Sequence, residues 1–272
     1  RKKDYNINIQ RIYFLDEVHR SYNPKGSFLA NLVQSDPDSI KIGLTGTPLL
    51  GEDHNSRALF GDYIHKYYYN SSIADGYTLR LIREDIESNY QMVMKNALAD
   101  IEVIKGDAER KWVYSHRQFV EPMLDYIIKD FERSRLIHED NTIGGMVICD
   151  SSEQAKEMFK IFETRSTVID KPNKVKLTAL ILHDVGTKED RKKKVEDFKD
   201  GKIDLLFVYN MLLTGFDSPR LKKLYLGRVI KKHNLLQALT RVNRTYKTHR
   251  FGYVVDFADI REEFDATNVA YF

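Results

Sequence analysis

Residues 205–219 read Leu-Leu-Phe-Val-Tyr-Asn-Met-Leu-Leu-Thr-Gly-Phe-Asp-Ser-Pro, four apolar residues followed by a loop that ends in proline. A short apolar run without alternation is typical of a strand buried on both faces of a parallel sheet. In open α/β sheets, ligands bind at the carboxyl ends of such strands. The polar groups of the loop, Thr214 and Asp217 among them, therefore stand where a ligand could bind, although taken alone the sequence also fits a plain loop.

Similar apolar runs recur along the chain, separated by charged stretches of helical length. Strands are predicted at Ile12–Leu15, Ile42–Leu44, Met146–Cys149, Leu177–Leu182, Leu224–Leu226 and Tyr253–Val255, with helices at Ser152–Thr164, Lys188–Lys199 and Asn234–Thr245. Alternating strands and helices predict βαβ units, and so a parallel sheet covered by helices. The fold class is therefore predicted to be α/β.

The alternation divides the chain unevenly. Residues 106–258 hold enough elements for a complete α/β domain, whereas residues 1–105 resemble the back half of another with trailing helices. Edge strands of that first domain are expected at Ile64–Tyr69 and Leu79–Arg83, and connecting helices at Glu84–Lys105 and Ser115–Ile137. The chain opens almost directly on a buried strand, so the first domain is expected to be incomplete. Residues 259–272 are expected to start a following helical segment.

Composition excludes several classes of protein. Of 272 residues, 42% are hydrophobic and 31% are charged, which is a globular balance. No apolar run approaches the roughly 18 residues of a membrane helix, and no signal core follows the amino terminus. A lone cysteine, Cys149, excludes an internal disulfide and a multi-cysteine zinc site, and fits a reduced cytoplasmic setting. The net charge of +3 permits contact with nucleic acid without requiring it.

Two polar sequences follow the first two predicted strands. Asp16 and Glu17 come directly after the first, and Thr45-Gly46-Thr47 follows the second. An aspartate at the end of a strand can hold Mg²⁺, and a neighbouring glutamate can orient or deprotonate water. Taken alone, the acidic pair fits a helix cap or a surface site, and the second sequence fits a plain turn.

A third candidate lies on the predicted helix over Asn234–Thr245. There Gln237, Arg241 and Arg244 are spaced i, i+4 and i+7, and so are expected to share one helical face. Guanidinium groups bind oxyanions bidentately, so such a face could hold phosphates. A solvated arginine face is the alternative.

Taken in order, these sequences resemble superfamily 2 helicases and translocases. Asp16–His19 looks like a DEAH-type motif II, and Gly145–Lys160 stands where motif IV begins the second lobe. Thr45–Pro48 resembles motif III, Leu213–Pro219 resembles motif V, and Gln237–Arg244 resembles motif VI.

The residues within these motifs are most similar to the motor region of type I restriction enzyme R subunits. The similarity is carried by Asp16–Ser21 (Asp-Glu-Val-His-Arg-Ser), Leu44–Pro48 (Leu-Thr-Gly-Thr-Pro), Leu212–Pro219 (Leu-Leu-Thr-Gly-Phe-Asp-Ser-Pro), Gln237–Tyr246 (Gln-Ala-Leu-Thr-Arg-Val-Asn-Arg-Thr-Tyr) and Gly252–Phe257 (Gly-Tyr-Val-Val-Asp-Phe). The resemblance covers about residues 10–83 and 143–258.

The resemblance implies two RecA-like lobes of the P-loop NTPase and helicase fold, and a motor that pumps double-stranded DNA using ATP and Mg²⁺. It implies cleavage by a separate nuclease domain, with methyltransferase and specificity subunits as partners. In the first lobe, Asp16 would hold Mg²⁺ through water and Glu17 would activate the attacking water. His19, Thr45 and Thr47 would couple the nucleotide to the second lobe.

In the second lobe, Thr214 and Gly215 would lie near the DNA backbone and the lobe interface, and Asp217 would touch the nucleotide ribose. Gln237, Arg241 and Arg244 would face the γ-phosphate, with one arginine acting as a finger.

One departure from the family pattern is large. The 272 residues contain no G-x-x-x-x-G-K-[ST] phosphate loop, and the single Gly-Lys pair, Gly201-Lys202, is followed by isoleucine. This chain by itself is therefore expected to bind ATP weakly or not at all, and to lack cleavage activity. Three alternatives stay open: another superfamily 2 helicase or remodelling ATPase, a catalytically silent interaction module, and a metal-dependent phosphohydrolase using Asp16 and Glu17.

Overall fold

The computed structural model describes residues 9–18, 27–46, 60–105, 110–165, 173–213, 215–230 and 232–265. The chain divides into two compact units between Tyr68 and Tyr69. Both units contain parallel strands joined through helices, as the apolar runs predict. Among the described helices, none has the length and apolar character that a bilayer crossing needs.

The first unit is built around one βαβ arrangement. Its elements are β1 (Ile12–Leu15), α1 (Ser27–Ser35) and β2 (Ile40–Gly43). The two strands pair in parallel, with Ile12 opposite Ile40. Asp36, directly after α1, accepts hydrogen bonds from Arg11 Nε at 2.5 Å and Tyr13 Oη at 3.0 Å. The end of the helix is thereby fixed to the start of β1.

The second unit contains a six-stranded parallel sheet and its covering helices. Its strands are β3 (Arg80–Asp85), β4 (Gly144–Ile148), β5 (Thr178–Ile181), β6 (Leu205–Val208), β7 (Leu221–Leu226) and β8 (Phe251–Asp256). Its helices are α2 (Tyr69–Ala74), α3 (Ser88–Lys105), α4 (Arg110–Ser115), α5 (Arg117–Ile137), α6 (Ser152–Arg165), α7 (Lys188–Lys199) and α8 (Lys232–Leu239). The spatial order of the strands is β3-β8-β7-β4-β6-β5.

Strands β4, β5, β6 and β7 are buried on both faces, and helices on the two sides of the sheet give three layers. One core packs strand residues such as Val147 and Phe207 against α5 and α6, including Phe131 and Met158. The other core packs the opposite faces of the same strands against α7 and α8, with Phe198 at its centre. This two-sided burial explains why the strands read as continuous apolar runs.

Two sequence predictions about the front of the chain are wrong. Ile64–Tyr69 is not a strand, since α2 begins at Tyr69. The strand expected at Leu79–Arg83 exists as β3, but it pairs with β8 and not with the strands of the first unit. The compact units of the structure divide at Tyr68/Tyr69, whereas the sequence predicts a domain boundary between residues 105 and 106. Pairing between strands far apart in sequence decides this, and local pattern cannot reveal it.

The amino-terminal edge of the second sheet is held by a buried ion pair between Arg135 of α5 and Asp204, which precedes β6. Arg135 is only 1% exposed and also donates to the Ile143 carbonyl at 3.1 Å. The second carboxylate oxygen of Asp204 accepts from the backbone amides of Lys176 at 2.7 Å and Leu177 at 3.2 Å. One carboxylate thus joins α5 to the starts of β5 and β6.

Asp204→Ala should destabilise the protein by about 3–5 kcal/mol, because it leaves the buried Arg135 guanidinium and the amides of Lys176 and Leu177 without their carboxylate partner. The free energy of unfolding is measured by urea denaturation followed by circular dichroism. Asp197→Ala is the control, since the ion pair of Asp197 with Lys202 lies at the surface and should contribute less than about 1 kcal/mol. Equal losses in the two variants would contradict the role given to Asp204.

Candidate functional site

The acidic pair of the first unit lies at the carboxyl end of β1, beside the residues that follow β2. Leu44 N donates to the Leu15 carbonyl at 2.8 Å, and Val18 N donates to the Leu44 carbonyl at 3.2 Å. Asp16 and Glu17 therefore stand next to the start of the Thr45-Gly46 sequence, with both carboxylates exposed. Two of the sequences singled out above are thus adjacent within this unit.

Glu17 has an unusual backbone conformation, with φ at +51°. A non-glycine residue in the left-handed region carries strain, and such strain tends to occur at functional sites. The conformation is supported locally, since Glu17 N donates to Asp16 Oδ1 at 2.8 Å. An exposed aspartate with one oxygen engaged in this way has the ligand chemistry that Mg²⁺ prefers.

Three predicted site residues, His19, Thr47 and Thr214, lie outside the described residues. Thr45 is half-buried beside the acidic pair. Gly215 is exposed with φ at +70°, a conformation that favours glycine.

The helix expected to carry both arginines is shorter than predicted. α8 ends at Leu239, so Arg241 and Arg244 do not share a helical face with Gln237, and that prediction is wrong. The last turn tightens, as Arg241 N donates to the Ala238 carbonyl at 3.1 Å. After Arg241 the chain is no longer helical. The Asn243 carbonyl accepts a hydrogen bond from Leu79 N at 2.6 Å, just before β3, in place of a helical partner.

The predicted residues of the second unit nevertheless come together. Arg241 donates to the Gln237 carbonyl at 2.9 Å and to the Phe216 carbonyl, joining the end of α8 to the loop after β6. Arg244 forms an ion pair with Asp217, with its Nε 3.2 Å from Oδ1. Both members of this pair are exposed, at 45% and 64% of their side-chain surface.

The path of the chain after α8 requires a glycine in β8. A Cβ at Gly252 would lie 2.1 Å from the Val242 carbonyl oxygen, far inside contact distance. Residues Val242–Tyr246, called the arginine segment below, can therefore cross β8 only because position 252 has no side chain.

Sequence reasoning missed two residues that position this segment, Gly252 and Lys222, and it also missed the buried Lys223 beside them. The two lysines lie in β7 and are almost fully buried, at 1% and 3% exposure. The signal available was their place inside the otherwise apolar stretch Leu221–Leu226, where a charged side chain needs a specific partner.

Comparisons with known proteins agree with the motif resemblance. The family model "Type I restriction enzyme subunit R domain 3" matches residues 150–259. The family model "SWI2/SNF2 ATPase" matches residues 2–111.

A type I restriction enzyme endonuclease subunit of Staphylococcus aureus is 28% identical over 295 residues, covering 93% of this chain and 31% of the relative. This chain spans about a quarter to a third of the length of the curated relatives it matches. The predicted resemblance to type I restriction enzyme R subunits is confirmed.

Two solved structures share the fold at low identity. A fragment of an HsdR subunit, assigned to a type I restriction enzyme of Vibrio vulnificus, superposes with a TM-score of 0.60 at 16% identity, covering 96% of this chain and 55% of that chain. The helicase Lhr of Mycobacterium smegmatis, bound to single-stranded DNA and AMP-PNP, gives a TM-score of 0.54 at 18% identity, covering 95% and 30%. The predicted α/β fold with RecA-like parallel sheets is confirmed.

Gly252→Ala should lower the free energy of unfolding by about 1–3 kcal/mol, because the added methyl group forces the Val242 carbonyl away from β8. At an unconstrained strand position, Gly→Ala would raise the free energy of unfolding. A decrease would therefore indicate the close contact with Val242. Urea denaturation measures it. Arg250→Ala, at an exposed neighbouring position, should change stability by less than about 0.5 kcal/mol. An alanine variant as stable as the unaltered protein would refute the close approach.

Proposed function

We propose that this chain is part of the ATP-driven DNA translocation motor of a type I restriction endonuclease R subunit. The observation that supports it best is the pairing of Asp217 with Arg244 and of the Phe216 carbonyl with Arg241. Two motif-like sequences, far apart along the chain, meet through the groups that the motor reaction needs. The family matches over residues 2–111 and 150–259 support the same function.

In this proposal the first unit supplies the chemistry of water activation. Asp16 would hold Mg²⁺ through water, and the ion would supply positive charge to offset that of the phosphates of ATP. The residues that the structure describes contain no group of three or more His, Cys, Asp or Glu suited to a metal. Glu17 takes a proton from the attacking water, and His19, Thr45 and Thr47 transmit the state of the nucleotide.

The second unit supplies the cations. Gln237 and the two arginines serve the γ-phosphate, and such an arginine is typically worth about 10³–10⁵ in rate. Asp217 contacts the ribose, and Thr214 and Gly215 contact the DNA backbone. Arg244 is already half-exposed in its ion pair with Asp217, so it can exchange that carboxylate for a phosphate oxyanion.

Double-stranded DNA is the proposed track, bound mainly through phosphates, so that affinity falls as salt rises. Methyltransferase and specificity subunits are the proposed partners, and the cytoplasm is the proposed location. The complete protein is proposed to be an ATP-dependent site-specific deoxyribonuclease, with its nuclease and phosphate loop outside these residues.

A second candidate function is a remodelling ATPase of another superfamily 2 group. The SWI2/SNF2 match over residues 2–111 favours it. The R-subunit match over residues 150–259 favours the restriction motor instead. DNA cleavage by the complete protein separates the two, since a remodelling ATPase would translocate without cutting.

Residues 1–272 alone should hydrolyse radiolabelled ATP no faster than buffer, because they contain no phosphate loop. In a protein that carries this chain together with a phosphate loop, Glu17→Gln should lower kcat by about 10²–10⁴-fold, the usual value of a general base.

The control for this experiment is Asp38→Asn, at an exposed carboxylate of the same unit, which should leave the rate unchanged. Magnesium-dependent turnover by residues 1–272 that Glu17→Gln abolishes would contradict the first expectation. A full rate in the Glu17→Gln complete protein would contradict the role proposed for Glu17.

A further inference from the structure

Two adjacent lysines lie in β7, where the pairing with β4 shifts register and Lys222 is the extra residue between Leu221 and Lys223. The two side chains have different partners. Lys223 is neutralised by carboxylates. Its Nζ lies 2.6 Å from Glu84 of β3 and 2.9 Å from Asp130 of α5. This is the usual arrangement for a buried cation.

Lys222 is treated differently. Its Nζ donates to the backbone carbonyl of Arg244 and lies 5.9 Å from the centre of the Tyr246 ring. Among the described residues, no carboxylate lies within ion-pair distance of it. Burial accordingly lowers the pKa of Lys222 to about 8. Burying an ammonium group without a carboxylate partner costs free energy of folding. The hydrogen bond to the Arg244 carbonyl is the main contact that offsets this cost.

The rest of the arginine segment is also fixed through its backbone and its ends. The Asn243 carbonyl accepts from Leu79 N, and the Val242 carbonyl fits against Gly252. Beyond Arg244, Tyr246 Oη lies 2.8 Å from Thr142 Oγ1. Lys222 holds the peptide between these anchors, at the residue whose guanidinium reaches Asp217.

We propose that Lys222 is a positioning residue: its hydrogen bond to the Arg244 carbonyl fixes the backbone from which the Arg244 guanidinium is presented to the nucleotide. The inference rests on the function proposed above and adds a residue that the motif pattern does not contain. A donor group held in place before the reaction loses no freedom when charge develops, so fixing its backbone raises the rate without adding a contact to the substrate.

The test replaces each lysine in turn with methionine, an apolar side chain of similar length. Hydrogen–deuterium exchange of the amides over residues 243–247 is measured on this chain. The kcat and KM for ATP are measured on a protein that also carries a phosphate loop.

Lys222→Met removes an uncompensated charge, so its melting temperature should be unchanged or higher. Exchange over residues 243–247 should rise about tenfold or more, and kcat should fall about tenfold with little change in KM.

Lys223→Met is the matched control, at the next position of the same strand. It leaves Glu84 and Asp130 without their cation, so its melting temperature should fall. Exchange over residues 243–247 should nevertheless stay at the unaltered level. A second variant, Lys222→Gln, keeps a donor without the charge and should retain most of the protection, which tests the hydrogen bond even if Lys222→Met does not fold.

Unaltered exchange in both Lys222 variants would overturn the inference, whatever the ATPase rate. Faster amide exchange over residues 243–247 in Lys222→Met with an unchanged kcat would also overturn the inference, provided that Arg244→Ala lowers kcat. If Arg244→Ala leaves kcat unchanged, the proposed function of the arginine itself fails, and the two failures are thereby distinguished.

Discussion

The second unit depends on how β7 accommodates two buried lysines. This strand lies between β8 and β4 near the centre of the sheet, and all six of its side chains are buried. Each buried ammonium group must find a partner within the protein. Lys223 finds Glu84 and Asp130, which join β3 and α5 to the sheet, and Lys222 finds the Arg244 carbonyl. One strand is thus joined to β3, to α5 and to the arginine segment.

The same arrangement explains why the candidate arginines lie on irregular backbone and not on a helix. After α8 ends, the chain is held at successive points by the starts of β3, β8 and β7. Functional residues on loops depend on a rigid scaffold for their position. Here the scaffold is the amino-terminal edge of the six-stranded sheet, at the starts of β3, β8 and β7.

Much of this fold could be predicted from local pattern, because strands buried on both faces are continuous apolar runs in the sequence. Two features could not. The run Leu236, Leu239, Val242 continues the helical period beyond Leu239, so only the contacts of residues 240–244 with Leu79 and Phe216 reveal where α8 ends. Likewise, β3 could pair with either sheet, and the choice depends on β8, which lies far along the chain. At the site, residue types and their order indicated the candidates, while the pairing of Asp217 with Arg244 required the structure.

The two arginines differ in what it takes to move them. Arg241 donates to the backbone carbonyls of Gln237 and Phe216, and these bonds hold the loop after β6 against α8. Releasing it would expose carbonyls that folding has paired. Arg244 makes an exposed ion pair, which is worth about 0–1 kcal/mol. Because its backbone is fixed by Lys222 while its side chain is loosely held, Arg244 can change partner without disturbing the fold. Of the two arginines proposed to serve the γ-phosphate, it is the more easily released.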